Sequence, residues 1–208
     1  MCIRDRGYTF TLEECLERPG MREMNGEKHP EDLAEARRLL DDAGIPAEGF
    51  KITLSTRNCC SYPDISVVVM EQLKEFLGWD VQLKVWESSA GYNAYRDHDY
   101  TFAVQRGGAN FFDPDAFLDR FKEGRLYFRW TGYVIPQIPE LFERQSRELD
   151  VEQRRIILRE IEDVIWNEAQ AAYLYYRVKH QLVNQRVQNF LLQEHMRKYE
   201  HIWCDPAC

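Results

Sequence analysis

The sequence contains no long hydrophobic run. Nothing in its 208 residues approaches the roughly 18 consecutive apolar residues of a membrane-spanning helix, and the mean hydropathy is -0.56. Basic residues are in deficit, with Lys+Arg 27 against Asp+Glu 35 and a formal net charge of -8. So acidic a chain argues against nucleic-acid binding, which needs a basic face to neutralise phosphates. The usual catalytic and cofactor signatures are also missing. There is no G-x-S-x-G elbow, no H-E-x-x-H pair, no phosphate loop and no G-x-G-x-x-G, so no cofactor is expected. Six cysteines do not make a disulfide-dense scaffold at this length. Met1 to Arg6 lacks the basic and then apolar pattern of a secretory signal. The string MCIRDR reads as the translation of a sequencing adaptor, a non-native start that says nothing about compartment. Hydrophobic residues make up 44% and aromatics 13%, and they occur throughout, which favours a folded core over disorder.

The pattern along the chain predicts an α/β fold. Residues 7–28 show no sustained period and carry Pro19-Gly20 and Asn25-Gly26, so they read as a connector. Pro30 opens a helix with Glu31 and Asp32 in its first turn, a stripe at Leu33, Ala36, Leu40 and Ala43, and Gly44 as its stop. Phe50 to Leu54 alternates as a strand. Pro63 opens a second helix with Ile65, Val68, Val69, Leu73 and Phe76 inward, ended by Gly78. Val81, Leu83 and Val85 mark a second strand. Strand, helix and strand with short links form a βαβ unit, so the two strands are expected to be parallel neighbours. Ser88 or Ser89 is expected to cap a helix to Asp97, and Tyr100–Gln105 to form a third strand. Further helices are expected at 116–121, 136–149 and, after Asp150 with Gln153, to about Ala169 with Ile157, Ile161, Val164 and Ile165 inward. Ala171–Val178 reads as a Tyr-rich strand. Residues 181–208 read as irregular, with one candidate strand near Val187–Leu191.

Two chemical readings compete with a binding role. Asp113 and Asp115 could serve as acid and base in an α/β enzyme, although Asp113-Pro114-Asp115 also reads as a turn and helix start. His195, His201, Cys204 and Cys208 could hold zinc, but the spacing is uncommon and a solvated tail explains them as well. The pair Cys204 and Cys208 could close a small loop or remain two free thiols. Cys59 and Cys60 are adjacent, a strained geometry for a mutual bond. The aromatic clusters are more informative. Ligands of parallel α/β sheets bind outside the C-terminal ends of the strands. The loops that satisfy this criterion, 55–62, 86–89 and 106–115, offer Arg57, Asn58, Tyr62, Trp86, Arg106, Asn110 and Phe112 as flat apolar faces with a few oriented polar groups. Gly107 and Gly108 would let backbone approach a ligand. A third class, a module docking another protein through its aromatic surface, remains open.

The ordered series A-R-R-L-L-x-x-A-G, G-F-K-I-T-L, E-Q-L-K-E-F-L-G, V-Q-L-K-V, D-Y-T-F-A-V, D-P-D and E-L-D-V-E-Q-R-R resembles the extracellular solute-binding proteins of ABC importers. The likeness is to the family 5 group of oligopeptide- and dipeptide-binding proteins and covers roughly residues 29–192. It implies a periplasmic-binding-protein-like lobe, with βαβ units and helices on a mixed sheet. Residues 29–180 would be the C-terminal lobe and 181–208 a return segment towards an N-terminal lobe missing from this chain. It further implies no catalysis, a location in the periplasm or tethered outside a membrane, a peptide or small-solute ligand, and ABC permease subunits as partners. The ligand-binding set is then Arg57, Asn58, Tyr62, Arg106, Gly107, Gly108, Asn110, Phe112 and Asp113. Two positions depart from the family pattern. Gly107 stands where relatives often carry Trp. Asn110 stands where peptide-binding relatives carry an Asp that pairs with a peptide ammonium, a charge-assisted bond that a neutral amide cannot supply.

Overall fold

The computed structural model describes residues 10–46, 48–107, 113–175, 180, 182–190 and 199–205. Within the stretch read as a connector, Thr11 starts a helix, α1 (Leu12–Leu16). Its hydroxyl accepts from Glu14 N while the Glu14 carboxylate accepts from Thr11 N, a capping box. A two-residue hairpin follows, β1 (Glu23–Met24) and β2 (Glu27–Lys28). Asn25 and Gly26 both take positive φ, 55° and 82°, as a tight hairpin turn demands. Elements this short are shorter than any hydrophobic period, so only their turn and cap chemistry could reveal them. Cys15 is buried and disulfide-bonded.

The helix α2 (Pro30–Asp42) is bounded as its residues dictate, with His29 capping Glu31 N and Gly44 at φ 68° beyond its end. Of the expected stripe, Leu33, Ala36 and Leu40 are only half-buried and Ala43, at the helix end, is exposed, and the helix buries no residue fully. Next come β3 (Lys51–Arg57), α3 (Tyr62–Leu77) and β4 (Asp80–Trp86). The two strands are parallel in register from Lys51–Asp80 to Arg57–Trp86, as the βαβ pattern predicted. One face of α3 is set by Tyr62, Ser66 and Val69, at helical spacing, with Ile65 and Leu73 beside them. Val68 lies off that face and is exposed, contrary to the expected inward set. After β4 come α4 (Ser88–Arg96) and β5 (Phe102–Ala103), a shorter strand than expected, which pairs parallel with β3. The three-stranded sheet therefore has the order β4–β3–β5 and is wholly parallel, and the antiparallel pairs lie in separate two-stranded ribbons.

The second half is helical: α5 (Asp115–Leu118) with a 3-10 turn at Asp119–Phe121, α6 (Leu126–Thr131), α7 (Ile138–Arg147) and α8 (Val151–Glu168). The aromatic cluster Tyr127-Phe128-Trp130 is thus the body of α6. Asp150 caps α8 by accepting from Glu152 N and Gln153 N, both at 2.9 Å. No helix among the described residues is long and apolar enough to cross a membrane. The described part of the expected Tyr strand, 171–175, is not a strand, and no strand among the described residues pairs with it; 176–178 lie outside the described residues. Tyr173 packs on Phe117 instead, with centroids 6.5 Å apart. Near the C-terminus, β6 (Val187–Gln188) pairs antiparallel with β7 (Trp203–Cys204).

Two apolar clusters hold these parts. The smaller joins Leu54, Val69 and Val104 between sheet and α3. The larger joins Leu118, Phe121, Tyr127 and Ile135 to the inner faces of α7 and α8. Ile157, Ile161 and Ile165 face this core as expected, with Val164 only half-buried. The outer side of α8 is tied to α1 and the residues after it by ion pairs. Arg159 forks onto Glu14 with both contacts at 3.0 Å, Arg18 pairs with Asp163, and both arginines lie over the Phe10 ring. Because Ile161 is fully buried in the larger cluster, Ile161→Ala should lower the unfolding free energy in urea by about 2–5 kcal/mol. A loss under half a kilocalorie would mean that this helix is not a core element.

Candidate functional site

The C-terminal ends of the three parallel strands converge on one side chain. Arg57, the last residue of β3, is 3% exposed. Its guanidinium lies 3.7 Å from the Tyr92 ring centroid and 5.3 Å from that of Tyr62. One terminal nitrogen donates to Ser88 Oγ at 2.9 Å and the other to Gln105 Oε1 at 3.2 Å. One side chain therefore ties the end of β3 to the starts of α3 and α4 and to the segment after β5. Glu87 opens α4 by accepting from Ser89 N and Ala90 N, so this carboxylate takes the cap expected of Ser88 or Ser89. That leaves Ser88 Oγ to accept from Arg57. A Cβ built on Gly91 would lie 2.5 Å from Arg57 Cγ, so only glycine lets the arginine lie across α4.

No carboxylate pairs with Arg57 among the described residues. Nor does one pair with Arg106 or Arg120. By contrast, Arg144, Arg147, Arg154, Arg155 and Arg159 all hold an acidic partner. Burial pushes the Arg120 guanidinium below its usual range, and the neighbouring Arg106 charge adds to the effect. Four buried polar atoms around Arg57 lack a hydrogen-bond partner among the described residues: Arg57 Nε, Trp86 Nε1, Tyr95 Oη and Gln105 Nε2. Each costs about 1–3 kcal/mol while unsatisfied. Burial raises the Tyr95 hydroxyl to about 12, so it stays a neutral donor at physiological pH. The arrangement is a cluster of donors and positive charge beside aromatic faces, suited to an anionic or carbonyl-bearing solute.

Of the expected site residues, Arg57 and Tyr62 are brought together as buried neighbours. Asn58 is exposed, with its N–H on Trp86 O at 2.9 Å. Arg106 is exposed near Tyr62, where its charge opposes the rise that burial imposes on the Tyr62 hydroxyl. Gly107 is exposed and faces the Tyr127 hydroxyl, 3.0 Å from a Cβ built there. Gly108, Asn110 and Phe112 lie outside the described residues. Asp113 is differently occupied. Its two oxygens are gripped by Arg154 at 2.7 and 3.1 Å, and Oδ1 also accepts from Asp115 N. Asp115 meets the same guanidinium at 3.3 Å and accepts from Gln145 Nε2 at 2.7 Å. Asp113 thus anchors the end of the 106–115 loop to α8. Burial works against its charge, but Arg154 and the Asp115 N–H prevail and hold its carboxyl below the usual range. A general acid at neutral pH needs a carboxyl raised instead, so Asp113 does not fit that role. In the zinc reading, His201 and Cys204 are described and His195 and Cys208 are not. No group of three or more metal-capable side chains occurs among the described residues.

Sequence reasoning missed Ser88, Gly91, Tyr92, Gln105 and Arg154. Gly91 alone left a mark, a glycine inside a helix at a cost of about 1 kcal/mol against Ala, which signals a close approach.

Residues 18–126, over half of the chain, match the family described as bacterial extracellular solute-binding proteins, family 5 Middle. The chain belongs to that family. It is 24% identical over 174 residues to the dipeptide-binding protein DppE of Bacillus subtilis, covering 82% of this chain and 32% of DppE. It is 28% identical over 130 residues to the oligopeptide-binding protein OppA of the same organism, covering 61% of this chain and 23% of OppA. The chain therefore spans at most about a third of the length of these curated relatives. Among solved structures, Burkholderia pseudomallei OppA matches 72% of this chain and 30% of its own, at 20% identity and a TM-score of 0.62. The Escherichia coli murein tripeptide-binding protein MppA matches with the same coverage and identity at 0.60. The fold is thus that of a periplasmic-binding-protein lobe, and both fold and family are those of solute-binding proteins.

The Gly91 notch predicts non-additivity. Gly91→Ala should cost about 1–3 kcal/mol in urea unfolding through overpacking against Arg57, and much less in an Arg57→Ala background. Equal costs in both backgrounds would place the strain elsewhere. The Asp113 clamp predicts a pH effect. A carboxyl depressed in the folded state adds stability above its unfolded pKa and loses it as pH falls through the folded value. Wild type should therefore exceed Asp113→Asn in melting temperature at pH 7, and the gap should close below about pH 4. A gap that does not narrow as the pH is lowered would show that the charge on Asp113 does not matter.

Proposed function

We propose that this chain contributes the ligand-facing lobe of the substrate-binding component of an ABC-type importer. The component captures a peptide or other small solute in the periplasm or outside the membrane and delivers it to the permease. Names of relatives that refer to dipeptide, oligopeptide and tripeptide binding support a peptide-like cargo. The observation that carries the reading is the uncompensated charge of Arg57 and Arg106 amid unsatisfied donors, at the strand ends where such sheets bind ligands. In a chain of net charge -8, positive charge left without carboxylates at one spot is suited to a solute carboxylate.

Arg57, Arg106 and the Gln105 amide would receive the anionic end. Tyr62 and Phe112 would supply flat contact area, and Asn58 and Asn110 oriented amides. Gly107 and Gly108 would allow close backbone approach, and Asp113 would act through Arg154 to hold the loop. Asn110 offers no charge to an ammonium, so recognition leans on the anionic end. A second lobe, supplied by the rest of the protein, would close over the solute.

Calorimetric titration with dialanine and its C-terminal amide tests this reading. The free acid should bind at least about tenfold tighter, the worth of one charge-assisted bond, and Arg57→Gln should erase the difference. Equal affinity for acid and amide would sink the anionic reading, and no binding by a panel of short peptides would sink the peptide cargo.

A further inference from the structure

A second guanidinium without a carboxylate lies one step beyond the Arg57 cluster. Gln105 Oε1 accepts from the Arg57 guanidinium at 3.2 Å and from Arg106 N at 3.0 Å, so the segment after β5 starts at the first cation. Two residues on, exposed Gly107 faces Tyr127 of α6 and Phe117 of α5. A Cβ built there would lie 3.0 Å from Tyr127 Oη and 3.4 Å from Phe117 Cε2. Arg120 borders the same spot. Its guanidinium is 5.9 Å from the Phe117 ring centroid, and its Nε donates to Ala116 O at 3.3 Å. Its terminal nitrogens have no partner among the described residues, and neither does the Tyr127 hydroxyl. Among the described residues, the one carboxylate whose charge reaches Arg120 is that of Asp119, which Lys122 and Arg125 both engage at 3.1 Å. Arg106 stands between the two cations. Beside the larger effect of burial, its charge acts on both the Tyr62 hydroxyl and the Arg120 guanidinium.

We propose that Arg120 and the Tyr127 hydroxyl form a second anion subsite, so that the cargo is a short acidic peptide whose side-chain carboxylate they receive while Arg57 holds its C-terminal carboxylate. This names the substrate class of the solute site and rests on that reading of the strand ends. Two like charges, Arg106 and a half-buried Arg120, oppose each other until an anion joins them. A carboxylate placed there removes the repulsion and accepts from both the guanidinium and the hydroxyl, a charge-assisted arrangement. The spacing suits such a peptide. From Gln105 to Gly107 the chain covers at most about 7 Å. A peptide with Glu next to last separates its two carboxylates by one residue and one side chain, a comparable reach. A neutral side chain at that position would leave Arg120 unpaired under the bound solute, so the subsite selects against it.

Calorimetric titration of the 208-residue chain with Ala-Glu-Ala, Ala-Gln-Ala and dialanine tests it. Ala-Glu-Ala should bind at least about tenfold tighter than Ala-Gln-Ala, its neutral isostere, and the gap should shrink in high salt. Arg120→Gln should bring Ala-Glu-Ala down to the level of Ala-Gln-Ala. Arg120→Lys keeps the charge without the planar fork and should retain part of the gap. Circular dichroism checks that each variant is folded. Equal affinity for Ala-Glu-Ala and Ala-Gln-Ala, with dialanine still bound and released by Arg57→Gln, overturns the subsite and leaves the importer reading intact. A preference for Ala-Glu-Ala that survives Arg120→Gln does the same. Failure of all three peptides to bind overturns both.

Discussion

A guanidinium buried without a carboxylate is the constraint that organises the sheet's working end. Taking the Arg57 charge out of water is costly, and no acid among the described residues repays it. What offsets it in part is two aromatic rings and two neutral oxygens, drawn from three separate segments of chain. Those segments must therefore meet. Glu87 caps α4 and so leaves the Ser88 hydroxyl for Arg57, and residue 91 must lack a side chain. The geometry of three loops follows from one charge that has to be solvated by protein.

The helical half solves a related problem with the opposite chemistry. There, guanidinium groups meet carboxylates. Arg154 holds Asp113 and Asp115 at the inner end of α8, and Arg159 and Arg18 hold α1 against its outer side. The helix is thus apolar towards the core and cationic towards the segments it recruits. Asp113, Asp115, Asp163 and Glu14 are paired in this way. At the strand ends, by contrast, Arg57 and Arg106 have no carboxylate partner among the described residues.

The fold was legible where residues repeat at a period. The βαβ unit, the Gly44 and Gly78 stops, the Asp150 cap and the inner face of α8 all follow from spacing that a reader can see. It was less legible where three or four residues decide the outcome. The α1 capping box and the Asn25-Gly26 hairpin carry their signal in single atoms, and a search for periodicity passes over them. Val68 shows a finer error, since a residue one step off a helical face is as apolar as those on it. The Tyr run at 171–175 misled for another reason. β propensity describes a residue that suits a pleated surface, and no strand among the described residues adjoins this segment to make one. Within the candidate site, Arg57 and Tyr62 were found because strand ends can be located from sequence. Their partners Tyr92, Ser88 and Gln105 were not, since contact across 31 to 48 residues is a property of tertiary packing.

The attachment of α1 to α8 has a consequence for how the chain acquires its shape. Glu14 and Arg159 are separated by 145 positions, and so are Arg18 and Asp163. The strands and α3 lie close together in sequence and can assemble before α8 is in place. Until then α1 has no surface to join, and Phe10 lacks the two arginines that lie over it. Closing so long a loop carries an entropic cost that local contacts do not help to meet. Docking of this segment is therefore expected after the sheet has formed, which leaves its aromatic ring open to wrong partners in the interval.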